Sequence, residues 1–295
     1  MASKYKRSVI VTGGTINLGY YAALNIARSH PDYLVVISSR SDNTHSADSI
    51  NEITGQKNVI FIPLDLFDLD GIWSSKAYPP IQSLVLNAGL QFPKQLQMAP
   101  SGLVATFAVC HVGHALLFHL LCPHLAPKSH ILVVSNSGHD PAQKTGMPYA
   151  LYNTAEDLAH PPPSMIKVSG KQRYTTVKLV NVSWAYTLDK KLKEQVPERG
   201  IVVNAFDPGT VPGSALAREY SSMERFILNN IMPKILPLLR ALVSPNLYTP
   251  DQPGQRLAVL AVGSEYDGVT GKYFEGLKEI NSSVASYDVQ KQEDL

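Results

Sequence analysis

The feature that most constrains this chain is an alternation of short, almost wholly apolar runs with longer helical patterns. The apolar runs are RSVIVT (7–12), YLVVISS (33–39), NVIFIPL (58–64), QSLVLN (82–87), HILVVS (130–135) and GIVVNAF (200–206). Helix-like segments lie at 18–29, 44–54, 101–126 and 173–196, and GKYFE (271–275) favours one more strand. Parallel strands have this composition because helices cover both faces of their sheet. The sequence therefore predicts an α/β protein with a Rossmann-type, doubly wound parallel sheet.

Domain organisation is expected to be simple, because no linker-like stretch divides the chain. We predict one domain over 1–295. Two segments exceed ordinary connection lengths, an insertion at 139–170 and an apolar, proline-containing stretch at 210–250. Both follow predicted strands, and ligands bind beyond the carboxyl ends of such strands. We expect the two segments to form substrate walls, the second as a lid.

Composition excludes some function classes and bounds the location. A net charge of +2 leaves no electrostatic footprint for a nucleic-acid partner. Cys110 and Cys122 fall on one predicted helix, about 18 Å apart, which is too far for a disulfide. Reduced thiols favour a cytoplasmic location. No run approaches the ~20 apolar residues of a membrane span, so none is expected, while peripheral membrane contact by the apolar segment 226–243 stays open.

The stretch TGGTINLG (12–19) follows the first predicted strand. A glycine-rich turn between a strand and a helix is typical of a pyrophosphate site, because amides at the helix start bind phosphate. Asn17 stands where a three-glycine loop has its middle glycine. Asparagine adopts left-handed backbone at small cost, so we predict a working cofactor loop. The alternative is a plain strand-to-helix turn without a ligand.

The end of the second predicted strand indicates which dinucleotide binds. It reads ISSR, with Ser39 and Arg40 and no acidic residue. An NAD site places a carboxylate at the ribose 2′-hydroxyl, whereas arginine accommodates the 2′-phosphate of NADP. We therefore predict NADP(H) as the cofactor. The alternative is that Arg40 is an ordinary surface residue.

A third signal is YTTVK, in which Tyr174 and Lys178 share one face of a predicted helix. A free phenol has a pKa near 10 and is a poor acid or base at neutral pH. A neighbouring ammonium stabilises the phenolate, so we expect Lys178 to lower the pKa of Tyr174. This pair is the candidate acid/base.

These motifs together carry a family resemblance. The ordered set TGGTINLG, LDL (64–66), LNAG (86–89), HVGH (111–114), VVSNS (133–137), YTTVKLVN (174–181) and DPG (207–209) resembles the short-chain dehydrogenase/reductase family. The long segment before Tyr174 and the HVGH stretch are similar to its retinol-dehydrogenase-like branch, and the NLG ending to fungal 3-ketosteroid reductases. The resemblance implies a homo-oligomeric oxidoreductase acting on a small-molecule carbonyl or alcohol, and both comparisons favour a bulky, largely apolar substrate.

The resemblance also assigns roles by position. Tyr174 would be the acid/base, and Lys178 would hold the ribose hydroxyls. The other implied cofactor-binding residues are Thr12, Gly13, Thr15, Asn17, Leu18, Gly19, Ser39, Arg40, Asp65, Leu66, Asn87, Ala88, Gly89, Pro208, Gly209 and Val211.

Two positions depart from the family pattern. Cys110 replaces the asparagine of the fourth helix, and its thiol is not expected to reproduce an amide's hydrogen bonds. Asn136 aligns with the catalytic serine, the donor to the developing oxyanion. We leave this role divided between Asn136 and Ser137, because a one-residue bulge would bring Ser137 into the position. Ser135 would point away, since side chains alternate along a strand.

These departures motivate a competing interpretation, a protein that binds NADP(H) but catalyses an isomerisation or cyclisation, or acts as a binding module. A metal site is not expected. Four histidines, at 111, 114, 119 and 124, share one predicted helix but point to different sides of it.

Overall fold

The computed structural model describes residues 4–68, 78–212, 221, 223, 226–232, 234–236, 240 and 246–295. One sheet runs in the order β3-β2-β1-β4-β5-β6-β7-β8. Neighbours from β3 through β7 pair in parallel, and β8 pairs antiparallel with β7. The strands are β1 Arg7–Thr12, β2 Tyr33–Ser39, β3 Val59–Pro63, β4 Ile81–Leu86, β5 Leu125–Val134, β6 Val202–Asp207, β7 Lys272–Glu275 and β8 Lys278–Ile280. The predicted doubly wound Rossmann-type sheet is confirmed.

Helices cover both faces of this sheet. They are α1 Asn17–Ser29, α2 Ser46–Thr54, α3 Ala105–His124, α4 Ala155–Ala159, α5 Gly170–Gln195, α6 Asp251–Val262 and α7 Val289–Glu293. In β1, Val9 and Val11 pack in the core layer with α1, α2 and α6, while Ile10 packs in the opposite layer with α3 and α5. The almost wholly apolar strands of the sequence therefore reflect burial on both faces.

Several elements differ from their sequence-based bounds. β5 begins at Leu125, five residues earlier than predicted, and β8, α4, α6 and α7 were not predicted. The insertion at 139–170 contains α4 and short 3₁₀ turns at 141–143 and 163–165. Much of the predicted lid at 210–250 lies outside the described residues; Ile227–Ile231 within it forms a π-helical turn.

Helix α3 corrects the expectation that no run approaches the length of a membrane span. Ala105–His124 is long and apolar enough to cross a membrane by length and composition, with a mean hydropathy of 1.6. Within its most apolar window of 18 residues, 67% is buried inside the protein. Leu117, Phe118 and Leu121 of α3 belong to the core beneath the sheet, which accounts for the apolar composition.

Candidate active site

A cleft of about 640 Å³ opens at the carboxyl edge of the sheet. It receives residues that follow β1, β2, β4, β5 and β6, and it spans the point where the strand order reverses between β1 and β4. The lining includes every predicted cofactor-binding residue, together with Tyr174, Lys178, Asn136 and Ser137. Cys110 lies behind the wall instead.

The loop after β1 has the backbone that its sequence predicts. Asn17 begins α1 with φ 50°, the left-handed conformation, and Gly13 has φ 65°. A Cβ on Gly19 would overlap the Gly13 carbonyl and lie 2.7 Å from the Asn87 amide nitrogen. No side chain caps the start of α1, and its first turn has no acidic residue. Its first amides are thus left for a ligand, which fits a dinucleotide pyrophosphate.

Thr12 joins this loop to the stretch after β4. Its hydroxyl accepts hydrogen bonds from the amides of Asn87 and Ala88, both at 2.9 Å. The His114 Nε2 atom lies 2.9 Å from the same hydroxyl, and its Nδ1 atom lies 3.3 Å from the Cys110 carbonyl oxygen. Burial lowers the pKa of His114 to about 3, so the ring is neutral. Helix α3 therefore braces the cofactor loop through a buried imidazole.

The other residues of HVGH have packing roles. A Cβ on Gly113 would lie 2.6 Å from the Leu66 carbonyl oxygen, so this glycine allows the loop after β3 to pack against α3. His111 stacks on Phe107 and meets Trp184 edge-on, and burial lowers its pKa to about 4. Among the residues that the structure describes, no three His, Cys, Asp or Glu side chains group to hold a metal ion.

At the end of β2, the cleft is lined by hydroxyl groups and Arg40. The Ser39 hydroxyl accepts from Thr15 at 3.1 Å and donates to the Ser41 carbonyl at 2.6 Å. The nearest carboxylate in sequence, Asp42, accepts from two amides at the start of α2, and these bonds lower its pKa. Asp42 is outside the lining. This end of the cleft therefore offers Arg40 without a competing carboxylate from the same stretch.

Tyr174 and Lys178 lie one turn apart on α5 and are both buried. The Lys178 Nζ atom is 5.4 Å from the centre of the tyrosine ring and donates to the Val134 carbonyl at 2.9 Å. Burial raises the pKa of Tyr174 and lowers that of Lys178. The expected fall in the pKa of Tyr174 is therefore wrong, because desolvation of the buried phenolate raises this pKa.

The residues after β5 point in different directions. The Ser135 hydroxyl donates to the Lys178 carbonyl at 2.8 Å. Asn136 accepts from the Gly138 amide at 3.0 Å through its Oδ1 atom, and its side chain interacts with the Tyr174 hydroxyl and lowers the pKa of that phenol. The Ser137 side chain instead interacts with the carboxyl of Asp207. The two candidate donors thus have different partners.

Cys110 makes more contacts than the sequence led us to expect. Its Sγ atom accepts from the Leu90 amide at 3.4 Å and donates to the Leu90 carbonyl at 3.5 Å. Burial raises the pKa of this thiol, so it is neutral. The thiol therefore ties α3 to the stretch after β4, although more weakly than an amide would. Cys122 is half-buried, and neither cysteine is in a disulfide.

Some lining residues were given no role from the sequence, although Ile16, Ser38, Leu64 and Val134 among them lie within quoted motifs. They are Ile16, Ser38, Ser41, Asn43, Thr44, Leu64, Phe67, Leu90, Val109, Val134, Gly138, Thr145, Met147 and Thr210. The polar run 41–44, directly after ISSR, was a usable signal for the adenosine end. Thr145 and Met147 lie in the insertion, where no periodicity indicates which side chains face the cleft. The buried Asp207 was quoted within DPG but given no role.

No protein-family profile matches the chain. The WW domain-containing oxidoreductase of Danio rerio is 25% identical over 273 residues, which cover 90% of this chain and 61% of the relative. Dehydrogenase/reductase SDR family member 13 of Bos taurus is 26% identical, covering 93% of this chain and 67% of its own length. The chain thus spans about three-fifths to two-thirds of these relatives. Polyprenol dehydrogenase of Homo sapiens is 26% identical, with 98% and 82% covered.

Solved structures show the same fold. A protein from Mycobacterium paratuberculosis superposes with a TM-score of 0.68 at 19% identity, covering 99% of this chain and 91% of the other. A short-chain dehydrogenase/reductase of Saccharomyces cerevisiae gives a TM-score of 0.61 at 20% identity, covering 96% and 98%. The relatives agree with the motifs and with the cleft built from them. The curated relatives include members of the short-chain dehydrogenase/reductase family of oxidoreductases, which use a nicotinamide cofactor. This chain is similar to them over nearly its whole length and has the fold of solved short-chain dehydrogenases.

Proposed function

We propose that this protein is an NADP(H)-dependent ketoreductase for a bulky, largely apolar carbonyl or alcohol. The observation that carries the proposal is the Tyr174–Lys178 pair with the Asn136 side chain on the tyrosine hydroxyl, in the same cleft as the uncapped start of α1. When bound in the cleft, a nicotinamide would supply or accept the hydride. The protein's own residues move the proton, hold the carbonyl and bind the dinucleotide.

Tyr174 is the proton donor in reduction. A neutral phenol is needed to protonate the carbonyl oxygen, and burial, which raises its pKa, keeps it neutral. Lys178 places a positive charge beside the ring, which stabilises the phenolate left after proton transfer. In the alcohol-oxidising direction the same phenolate would act as the base.

Asn136 is the hydrogen-bond donor to the carbonyl oxygen in this proposal. Its Oδ1 atom accepts from the Gly138 amide, so its NH₂ group is the part that remains for Tyr174 and the substrate. Ser137 is unsuited to this role because its side chain interacts with Asp207. An amide supplies the same kind of donor as the serine hydroxyl of the family pattern.

NADP(H) is favoured over NAD(H) by the end of β2. Arg40 lines the cleft there with Ser39, Asn43 and Thr44, and the Asp42 carboxylate caps α2 instead. A guanidinium binds a phosphate by two hydrogen bonds at once. Hydroxyl and amide side chains around it would complete a site for the 2′-phosphate.

A large apolar substrate is supported by apolar residues of the cleft lining, which include Leu90, Met147 and Val211. One relative carries the name polyprenol dehydrogenase, and a polyprenol is a long, apolar alcohol. We therefore place the substrate of this protein among extended apolar ketones, aldehydes and alcohols.

The test combines binding and turnover. We expect NADPH to bind, as followed by quenching of its fluorescence, and a panel of apolar ketones to be reduced. Tyr174→Phe should bind NADPH normally and lose reduction. Asn136→Ala should lose about a hundredfold in kcat, and Ser137→Ala clearly less. Full activity of Tyr174→Phe would refute the proposal, and a larger loss in Ser137→Ala would exchange the two donor roles.

The second candidate function is NADP(H) binding with a non-redox reaction or no reaction. It is motivated by Asn136 in the position of the family's serine. Tight NADPH binding with no turnover of any ketone or alcohol in the panel would favour it.

A further inference from the structure

Asp207 is a fully buried carboxyl behind the cleft wall that the proposed roles leave unused. It is the last residue of β6. The Gly209 amide donates to its Oδ1 atom at 2.8 Å, and the Tyr273 hydroxyl donates to its Oδ2 atom at 3.2 Å. The side chain of Ser137 also interacts with it. Three donors around one buried carboxyl make a site adapted to a negative charge.

Lys178 is a buried cation on which the charge of this carboxyl acts. Its ammonium donates to a neutral acceptor, the Val134 carbonyl. A buried ammonium is costly unless other charges compensate it, and burial accordingly lowers the pKa of Lys178. Without compensation, the lysine would tend to lose the charge that its role requires.

Asp207 lies where it can compensate this charge. Val134 pairs with Phe206, the residue before Asp207. The amide of Ser135, which follows Val134, donates to the Phe206 carbonyl at 2.7 Å. Asp207 therefore follows directly after the Val134–Phe206 pair, whose Val134 carbonyl accepts from the Lys178 ammonium. Its negative charge raises the pKa of both Lys178 and Tyr174.

The groups that face this pair from α3 are neutral, whereas β7 contributes one further carboxylate, Glu275. From α3, the Cys110 thiol is neutral because burial raises its pKa, and His114 is neutral because burial lowers its pKa. From β7, the Tyr273 hydroxyl donates to Asp207, and Glu275, which pairs directly with Asp207 in the sheet, repels its carboxylate. Burial raises the pKa of Asp207 to about 6, which leaves the carboxyl ionised at neutral pH.

We propose that Asp207 is a positioning residue whose carboxylate keeps the buried Lys178 ammonium charged and holds Ser137 away from the substrate carbonyl. It acts through these two residues and does not itself touch the substrate. Its place in catalysis rests on the proposed ketoreductase function, whereas its effect on Lys178 does not.

The test is Asp207→Asn, which keeps a hydrogen-bond acceptor and removes the charge. The titration of the Lys178 side chain, followed by NMR of its Cε carbon and assigned with Lys178→Arg, should move about one pH unit lower. Reduction requires both the ammonium and the neutral phenol, so the alkaline limb of kcat/KM should move the same way. Glu275→Gln is the matched control, since it removes a neighbouring carboxylate from β7, and it should leave both titrations in place.

An unchanged Lys178 titration in Asp207→Asn would overturn the inference. If that variant does not fold, the wild-type protein provides the test, because its Lys178 resonance should show an inflection as Asp207 titrates near pH 6. The absence of this inflection would also refute the inference that Asp207 acts on Lys178. A shifted lysine titration without any ketone reduction would retain this inference and reject the ketoreductase function.

Discussion

His114 should make the protein acid-labile by an amount that follows from its burial. The ring is neutral in the folded state because burial lowers its pKa from 6.5 to about 3. An unfolded chain binds a proton at this histidine below about pH 6.5, while the folded protein resists it. The stability linked to His114 is therefore complete above that pH and is lost as the pH falls towards 3. A difference of 3.5 pKa units corresponds to about 5 kcal/mol, of which about 3 kcal/mol is lost by pH 4.

The perturbation that isolates this effect is His114→Gln, which cannot titrate but can still reach the Thr12 hydroxyl. At neutral pH we expect the variant to lose about 1–3 kcal/mol, because one of two buried hydrogen bonds is disturbed. On acidification the wild type should lose stability faster than the variant. The difference in their free energies of unfolding should therefore narrow and then change sign. The assay is urea unfolding at a series of pH values. His119→Gln, on the exposed side of the same helix, is the control. A wild-type-minus-variant difference that does not change with pH would refute the neutral, buried imidazole.

Three further predictions concern the cleft and its wall. Arg40→Ser should weaken NADPH binding by about tenfold or more and NADH binding much less, as measured by fluorescence quenching; equal losses would contradict the 2′-phosphate site. Asn17→Ala should destabilise the protein by about 1 kcal/mol and Asn17→Gly should not, because the position has positive φ; thermal melts that rank them the other way would disprove this. The Asp294 carboxylate accepts from the Tyr152 hydroxyl and the Ala155 amide, both at 2.6 Å. Asp294→Asn should therefore increase amide hydrogen exchange in the insertion at 139–170. Unchanged exchange there would show that this contact does not hold the insertion in place.

The sheet could be predicted from the sequence because parallel strands buried on both faces have a distinctive composition. β1 and β2 were placed at their observed bounds for this reason. β5 was placed too late because its first half includes exposed Pro127 and Lys128, the latter with φ 57°. Helix α6 lies beyond the long lid segment, and β8 is a three-residue strand with exposed side chains. β8 was too short to show an alternating pattern, whereas the buried face of α6, which includes Leu257, Ala258 and Ala261, recurs at helical spacing and was a usable signal.

The backbone of the loop after β1 could also be predicted, because backbone requirements select residue types. The left-handed Asn17 and the close approach at Gly19 are examples. The catalytic half could not be resolved in the same way. Whether Asn136 or Ser137 faces Tyr174 depends on the local path of the chain after β5 and on the partner that Asp207 provides to Ser137. The fall expected in the pKa of Tyr174 was wrong because burial cannot be inferred from a helical spacing alone.

The strand order has a consequence for how the protein folds. β1 pairs with β2 on one side and with β4 on the other, and the cleft spans the junction between β1 and β4. The chain up to β3 can assemble its three strands from local contacts, but the junction needs contacts distant in sequence, which form more slowly. A sheet that contains only β1 to β3 would therefore have the loop 12–19 but lack the part of the cleft that follows β4. Dinucleotide binding should appear only in the last folding phase, and from then on it would stabilise the joined halves in proportion to ligand concentration.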